Sequence, residues 1–177
     1  MAVIELNHIS AGYGKQTVLK DVSAILKKGK LTSIIGVNGC GKSTLLKTIL
    51  GIVPIRNGDV AIDGASLKGM DRNDISRRIA YLSQGKRTPD MTVEQLVLHG
   101  RFPHLNYPRR YTKHDYEIAI DAMKQMGIAQ HADKSLHTLS GGMRQNTYIA
   151  MALAQGTDYV LLDEPTTYLD IAHQLEL

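Results

Sequence analysis

Gly36-Val37-Asn38-Gly39-Cys40-Gly41-Lys42-Ser43 is the stretch on which the reading of this chain turns. It matches the pattern of a phosphate-binding loop, and each required residue type has a physical reason. Glycines admit backbone angles closed to other residues, so successive N–H groups can turn inward around phosphate oxygens. A helix that starts at the loop points the positive end of its dipole at the same anion. Lys42 is expected to reach the β- and γ-phosphates of a nucleotide, and the Ser43 hydroxyl to supply an oxygen to Mg²⁺. Gly36, Asn38, Gly39, Cys40, Gly41 and Thr44 complete the expected lining. The alternative, a glycine-rich turn of no function, is disfavoured by context: an apolar run at 31–35 precedes the loop, and Leu45, Leu46, Ile49 and Leu50 follow it at helical spacing until Gly51.

Outward from that strand, loop and helix, β-like runs at 3–6, 17–19 and 22–26 predict an antiparallel patch ahead of the buried strand at 31–35. Runs at 58–62 and 80–82 predict two more strands, with a helix over 71–79 between them. The middle changes character. Thr92 and Thr112 each precede a polar residue three positions on, the signature of a helix start. In the second helix Tyr116, Ala119, Ile120, Met123 and Met126 form a packing stripe. The proline-bearing segment 101–111 reads as a loop, and 140–155 as a helix capped by Ser140 and stopped at Gly156. The organisation that follows is a core segment over 1–87, a helical segment over 88–155, and a return to the core over 156–177.

Tyr159-Val-Leu-Leu-Asp163-Glu164 is an apolar run of the parallel-strand type that delivers two carboxylates at its C-terminal end, where ligands of such sheets collect. Asp163 is expected to hold Mg²⁺ through its water shell and Glu164 to polarise the water that attacks the γ-phosphate. Ser140, followed by Gly141 and Gly142, makes a second helix start that an anion could approach closely.

Composition bounds these readings. A chain of 177 residues, 43% hydrophobic, buries one core of ordinary size. It has no apolar stretch near the roughly 18 residues of a membrane span, and its N-terminus lacks the marks of a secretory signal. The single cysteine, Cys40, excludes an intrachain disulfide and makes the cytosol the expected compartment. A net charge of +4 is too mild to name a partner, and one phenylalanine argues against a base-stacking nucleic-acid platform.

The stretch Leu139-Ser-Gly-Gly-Met-Arg-Gln145, with the phosphate loop and the Asp163-Glu164 pair, resembles the ATP-binding cassette family. The resemblance implies an α/β P-loop NTPase core of RecA-like type, an N-terminal antiparallel β subdomain and an inserted helical signature subdomain. It implies ATP and Mg²⁺ as ligands, and a head-to-tail homodimer in which the signature of one subunit, Ser140 to Gly142, covers the γ-phosphate bound by the other. Tyr13 resembles the family's adenine-stacking aromatic. Gln84 resembles the glutamine that touches Mg²⁺ and the attacking water, so the catalytic set reads Glu164, Gln84 and Lys42, and the metal set Ser43, Gln84 and Asp163. Residues 165–170 resemble the loop that crosses the dimer interface. Met143 departs from the usual glutamine. The family's switch histidine has no counterpart before Leu177, since His173 stands too close to Glu164. The expectation is therefore a chain lacking a C-terminal part, with unpaired backbone and an exposed apolar face beside the Asp163 strand, and weak ATP turnover by itself.

Gly100-Arg-Phe-Pro-His104 and Leu162-Asp-Glu-Pro-Thr-Thr-Tyr-Leu-Asp-Ile-Ala-His-Gln174 resemble ATPase subunits of importers for iron-siderophores, haem and cobalamin. That implies ferric-siderophore uptake, membrane permease subunits as partners, a substrate-binding protein acting indirectly, and a peripheral place on the cytoplasmic face of the membrane. The alternative is a soluble ATPase of this family acting on nucleic acid or ribosomes, motivated by Pro108-Arg-Arg-Tyr-Thr-Lys-His114. A solvated basic loop beside lipid headgroups or a partner subunit is the favoured reading of that run, and no nucleic-acid partner is expected.

Overall fold

The computed structural model describes residues 3–83 and 88–164. Two compact units divide the chain at Ile79/Ala80.

The first unit is built on a four-stranded sheet. Its strands are β1 (Val3–Tyr13), β2 (Gln16–Lys27), β3 (Ile55–Ile62) and the two-residue β4 (Ala65–Ser66), in the order β2-β1-β3-β4 with antiparallel pairing throughout. The separate runs expected at 17–19 and 22–26 are one strand. What interrupts their alternation is a bulge: His8 and Asp21 both take φ 51° on facing strands, and the register shifts between Leu6 and Ile9. The extra residue reverses which parity points inward, so Ile4 and Leu6 are buried before it and Ile9 and Ala11 after it. The bulge is held reciprocally, with the His8 amide donating to Ser23 Oγ over 3.0 Å and the Asp21 amide to Ser10 Oγ over 3.2 Å. Helix α1 (Lys42–Ile49) contacts β1 and β2, and Leu46, Ile49 and Val53 join Val60 and Ile62 in the core. Helix α2 (Arg72–Arg78) begins at Asp71, whose carboxylate accepts from the Asp74 amide at 2.8 Å.

One expectation fails in this unit. The run at 31–35 is not a strand: Leu31 is 96% and Ile35 93% exposed. Hydrophobic residues make a buried strand only where a neighbouring strand satisfies their backbone groups, and none of the described strands pairs with this run.

The second unit contains β5 (Ile79–Leu82), which begins at the division, α3 (Val93–His99), α4 (Lys113–Gln125), α5 (Gly141–Ala154) and β6 (Tyr159–Leu162). The three helices pack on one another around Val93, Val97, Met123, Ile128 and Leu136. Both expected threonine caps form complete capping boxes, Thr92 with Gln95 and Thr112 with Asp115. The stripe on α4 is rotated from the expected one. Ala119, Ala122 and Met123 are buried, whereas Tyr116 and Ile120 are 41% and 38% exposed, because buried Asp115 turns the inner face toward Arg101. Gly100 closes α3 where a Cβ would lie 2.2 Å from the Met151 carbonyl oxygen, so only glycine lets α3 end against the α5 backbone. β5 and β6 form a two-stranded sheet, with Val160 and Leu162 of β6 partly exposed.

Candidate functional site

In the first unit the phosphate loop closes on itself. The Cys40 amide donates to the Val37 carbonyl at 3.3 Å, and the Lys42 ammonium donates to the carbonyls of Gly36 at 2.8 Å and Val37 at 3.1 Å. Lys42 thereby ties the end of the loop to its beginning. Gly41 is the N-cap of α1 at φ 106°, a conformation in which a side chain would also press on Val18 and Leu19. No side chain caps α1, so its positive end is left to the loop. Cys40 is exposed, and its Sγ lies 2.6 Å from where a Cβ on Gly36 would stand. Asn38 and Gly39 are exposed, while Ser43 is partly and Thr44 fully buried. Tyr13 ends β1 and is 49% exposed.

In the second unit Ser140 caps α5, its Oγ accepting from the Met143 amide at 3.2 Å. A hydroxyl used as acceptor in this way still has its proton to give. Ser140 is exposed and Gly141 and Gly142 partly so, while Leu136 and Leu139 anchor the turn before them. Met143 enters this cap through its backbone amide, and its side chain packs against the core of the three helices. The Arg144 guanidinium donates to the Leu139 carbonyl at 2.9 Å, fixing the approach to the helix from the other side.

Asp163 follows β6 and is buried, 6% exposed. Its amide donates to the Leu82 carbonyl at 2.9 Å, and its Oδ2 accepts from the Tyr81 hydroxyl at 3.1 Å. Tyr81 thus bears on the candidate residue Asp163, a contact the sequence marks only by its place in the run that leads to Gln84. Glu164 is exposed and takes φ 50°, an uncommon angle for a residue with a side chain. Gln84, residues 165–170 and His173 lie outside the described residues.

A third arrangement joins the ends of three helices. Arg101 donates from Nε to Asp115 Oδ1 at 3.0 Å and from Nη1 to the Ala154 carbonyl at 2.9 Å, while His104 Nε2 donates to the Gln155 carbonyl at 2.8 Å. Burial opposes ionisation of Asp115, but hydrogen bonds from the Thr112 amide and hydroxyl and from Arg101 outweigh it, and its carboxyl is held below the ordinary range. Arg101 ties the C-terminal end of α5 to the start of α4, a place its local sequence does not announce. Across the loop, the Arg109 guanidinium stacks 4.3 Å above the Phe102 ring.

A phosphate loop feeding a helix and a second glycine-flanked, serine-capped helix start define a nucleotide-binding domain of the P-loop class. The chain belongs to the ABC transporter family, whose model matches residues 19–167. It is 44% identical over its whole length to the iron(3+)-hydroxamate import ATP-binding protein FhuC of Bacillus subtilis (strain 168), covering 66% of that protein. Over 96% of its length it is 46% identical to the ferric enterobactin transport ATP-binding protein FepC of Escherichia coli (strain K12), covering 63% of it. The chain thus spans slightly less than two thirds of these relatives. Among solved structures, an inward-facing metal-chelate type ABC transporter superposes with a TM-score of 0.83 at 31% identity, over 98% of this chain and 65% of that one. The ADP conformation of the MJ1267 ATP-binding cassette superposes with a TM-score of 0.87, and at 24% identity over 99% of this chain and 74% of that one it bears on the fold alone.

Proposed function

We propose that this chain is the nucleotide-binding part of an ATPase subunit that energises import of ferric siderophores. The observation that carries the reading is the Lys42 clamp on Gly36 and Val37 at the uncapped start of α1, a cradle for a triphosphate. The names of the relatives, which describe import of iron(3+)-hydroxamate and transport of ferric enterobactin, support the cargo class.

In this reading Lys42 and the loop amides bind the β- and γ-phosphates, Tyr13 stacks on the adenine, and Glu164 takes a proton from the attacking water. Ser43 and Asp163 are hard oxygen donors of the kind Mg²⁺ takes, and the Tyr81 hydroxyl orients the Asp163 carboxylate for it. When bound, the metal neutralises charge on the phosphates. Gln84 belongs to the same catalytic and metal sets.

Ser140, Gly141 and Gly142 serve a second subunit, arranged head to tail, by closing on the γ-phosphate bound there. Closure is favoured while that charge is present and relaxes once it is cleaved, which converts chemistry into motion of the attached permease. No helix of the described residues is long and apolar enough to cross a membrane. From the family and the relatives, the subunit is read as peripheral, on the cytoplasmic face, with a substrate-binding protein reached only through the permease. The relatives favour the import reading over the nucleic-acid alternative, and within the basic run Arg109 is engaged with Phe102 while Lys113 and His114 face Glu117.

The test is uptake of a ferric hydroxamate by cells whose own importer ATPase has been deleted, complemented with the intact protein or its Glu164→Gln form. Restored uptake by the parent and none by the variant, with Mg·ATP binding retained, is the expected result. Full uptake by Glu164→Gln removes the assigned base, and no uptake by the parent removes the cargo.

A further inference from the structure

Arg56 stands on β3, and its guanidinium reaches back to the turn joining β1 to β2. Nη2 donates to the carbonyl oxygens of Gly14 at 2.7 Å and Gln16 at 3.0 Å, and Nη1 to the Lys15 carbonyl at 3.2 Å and to Thr17 Oγ1 at 2.7 Å. Three consecutive carbonyls of one tight turn converge on a single cation. Carbonyl dipoles gathered this way repel one another unless a donor fills their focus, so the turn and the cation belong together.

The turn begins at the residue after Tyr13. On the strand side, a Cβ on Gly12 would lie 2.1 Å from the Gln16 carbonyl oxygen, so the hairpin is pressed tight just before Tyr13, and Tyr13 pairs with Gln16. Beyond it, residues 14–17 are held by Arg56. The aromatic ring is half exposed, yet the backbone that carries it is fixed from both directions.

We propose that Arg56 is a positioning residue for base recognition: by clamping the turn 14–17 it holds Tyr13 in place to stack on a purine ring. The proposal rests on the reading of Tyr13 as the base-stacking residue. Arg56 acts through the turn and needs no contact with the nucleotide. A tyrosine on a frayed hairpin loses conformational freedom when it stacks, and ordering the hairpin beforehand removes that cost from binding. The planar guanidinium fork suits four acceptors, whereas a lysine ammonium offers a point charge to fewer of them.

Two ligands separate the base from the phosphates: Mg·ATP and Mg·tripolyphosphate, titrated calorimetrically into the intact protein. Arg56→Ala is expected to weaken ATP on the order of tenfold while leaving tripolyphosphate within about twofold of the parent. Tyr13→Ala is expected to show the same split, the double variant to lose no more than either single one, and Arg56→Lys to recover only part of the loss. Selective loss of ATP affinity in Tyr13→Ala but not in Arg56→Ala overturns the role of Arg56 and leaves the reading of Tyr13 standing. Unchanged ATP affinity in Tyr13→Ala removes that reading and the proposal with it. Equal weakening of both ligands by Arg56→Ala identifies a general structural effect and also overturns the proposal.

Discussion

Arg101 Nε donates to Asp115 Oδ1 over 3.0 Å, and neither side chain is more than one tenth exposed. The same guanidinium takes the Ala154 carbonyl at the C-terminal end of α5, while Asp115 completes the capping box that starts α4. A buried cation therefore sits where a helix dipole is negative, and a buried anion where another is positive.

Removing one partner leaves the other charged and buried, which costs more than the pair contributes in place. Arg101→Ala and Asp115→Ala are each expected to destabilise the protein by about 3–5 kcal/mol. The double variant should lose clearly less than the sum of the two. Urea unfolding of the three variants measures this, and additive losses would refute the coupling.

The depressed carboxyl of Asp115 also sets an acid limit. Its folded pKa is below its unfolded one, so the stability it contributes is fully present above the unfolded value of about 4. That contribution is lost as pH falls through the folded value. Unfolding midpoints followed through the carboxylate range, from about pH 6 to about pH 2, should fall less steeply in Asp115→Asn than in the parent. Parallel curves would show that Asp115 is not a principal acid-sensitive group.

Lys42 ties the loop together, and the proposed function gives it the phosphates as well. Lys42→Ala removes both carbonyl contacts, to Gly36 and Val37, and is expected to abolish detectable Mg·ATP binding. Because these bonds are exposed, thermal stability should change by less than about 1 kcal/mol. Retained nucleotide affinity would contradict the assignment.

Cys40 is exposed and lies against Gly36 inside the loop. A bulky maleimide on its sulfur should block nucleotide binding, and prior addition of Mg·ATP should slow the labelling. Cys40→Ala, which adds no bulk, is expected to bind as the parent does. Undiminished affinity after complete labelling would exclude Cys40 from the ligand's envelope.

Ser140 caps α5, and the proposed function adds a second task at a γ-phosphate; a pair of substitutions separates the two. Ser140→Ala should cost about 1 kcal/mol through the lost cap. Ser140→Asp keeps the cap but, in the proposed head-to-tail pair, sets a negative charge toward the γ-phosphate, so it should retain stability and lose cooperative ATP hydrolysis. Normal turnover by Ser140→Asp would detach the signature from catalysis.

The loop's glycine turns and the helix caps were legible because they are local. The glycines of the phosphate loop and the caps at Thr92, Thr112 and Ser140 involve residues close in sequence. Their geometry follows from backbone angles and side-chain length alone. Helix α4 shows the limit: its period was readable, but which face turned inward depended on Arg101 finding Asp115.

Residue order alone therefore determined the phosphate loop, the two helix starts and the acidic pair after β6, since each is a property of a short segment. The tertiary structure alone decided that 31–35 runs exposed, that a bulge at His8 and Asp21 reverses the parity of β1, and that Arg56 clamps the turn beside Tyr13. A strand needs a ladder partner and a buried or focused charge needs its counterpart, and in a folded chain those partners are chosen by packing, at separations that no local pattern encodes.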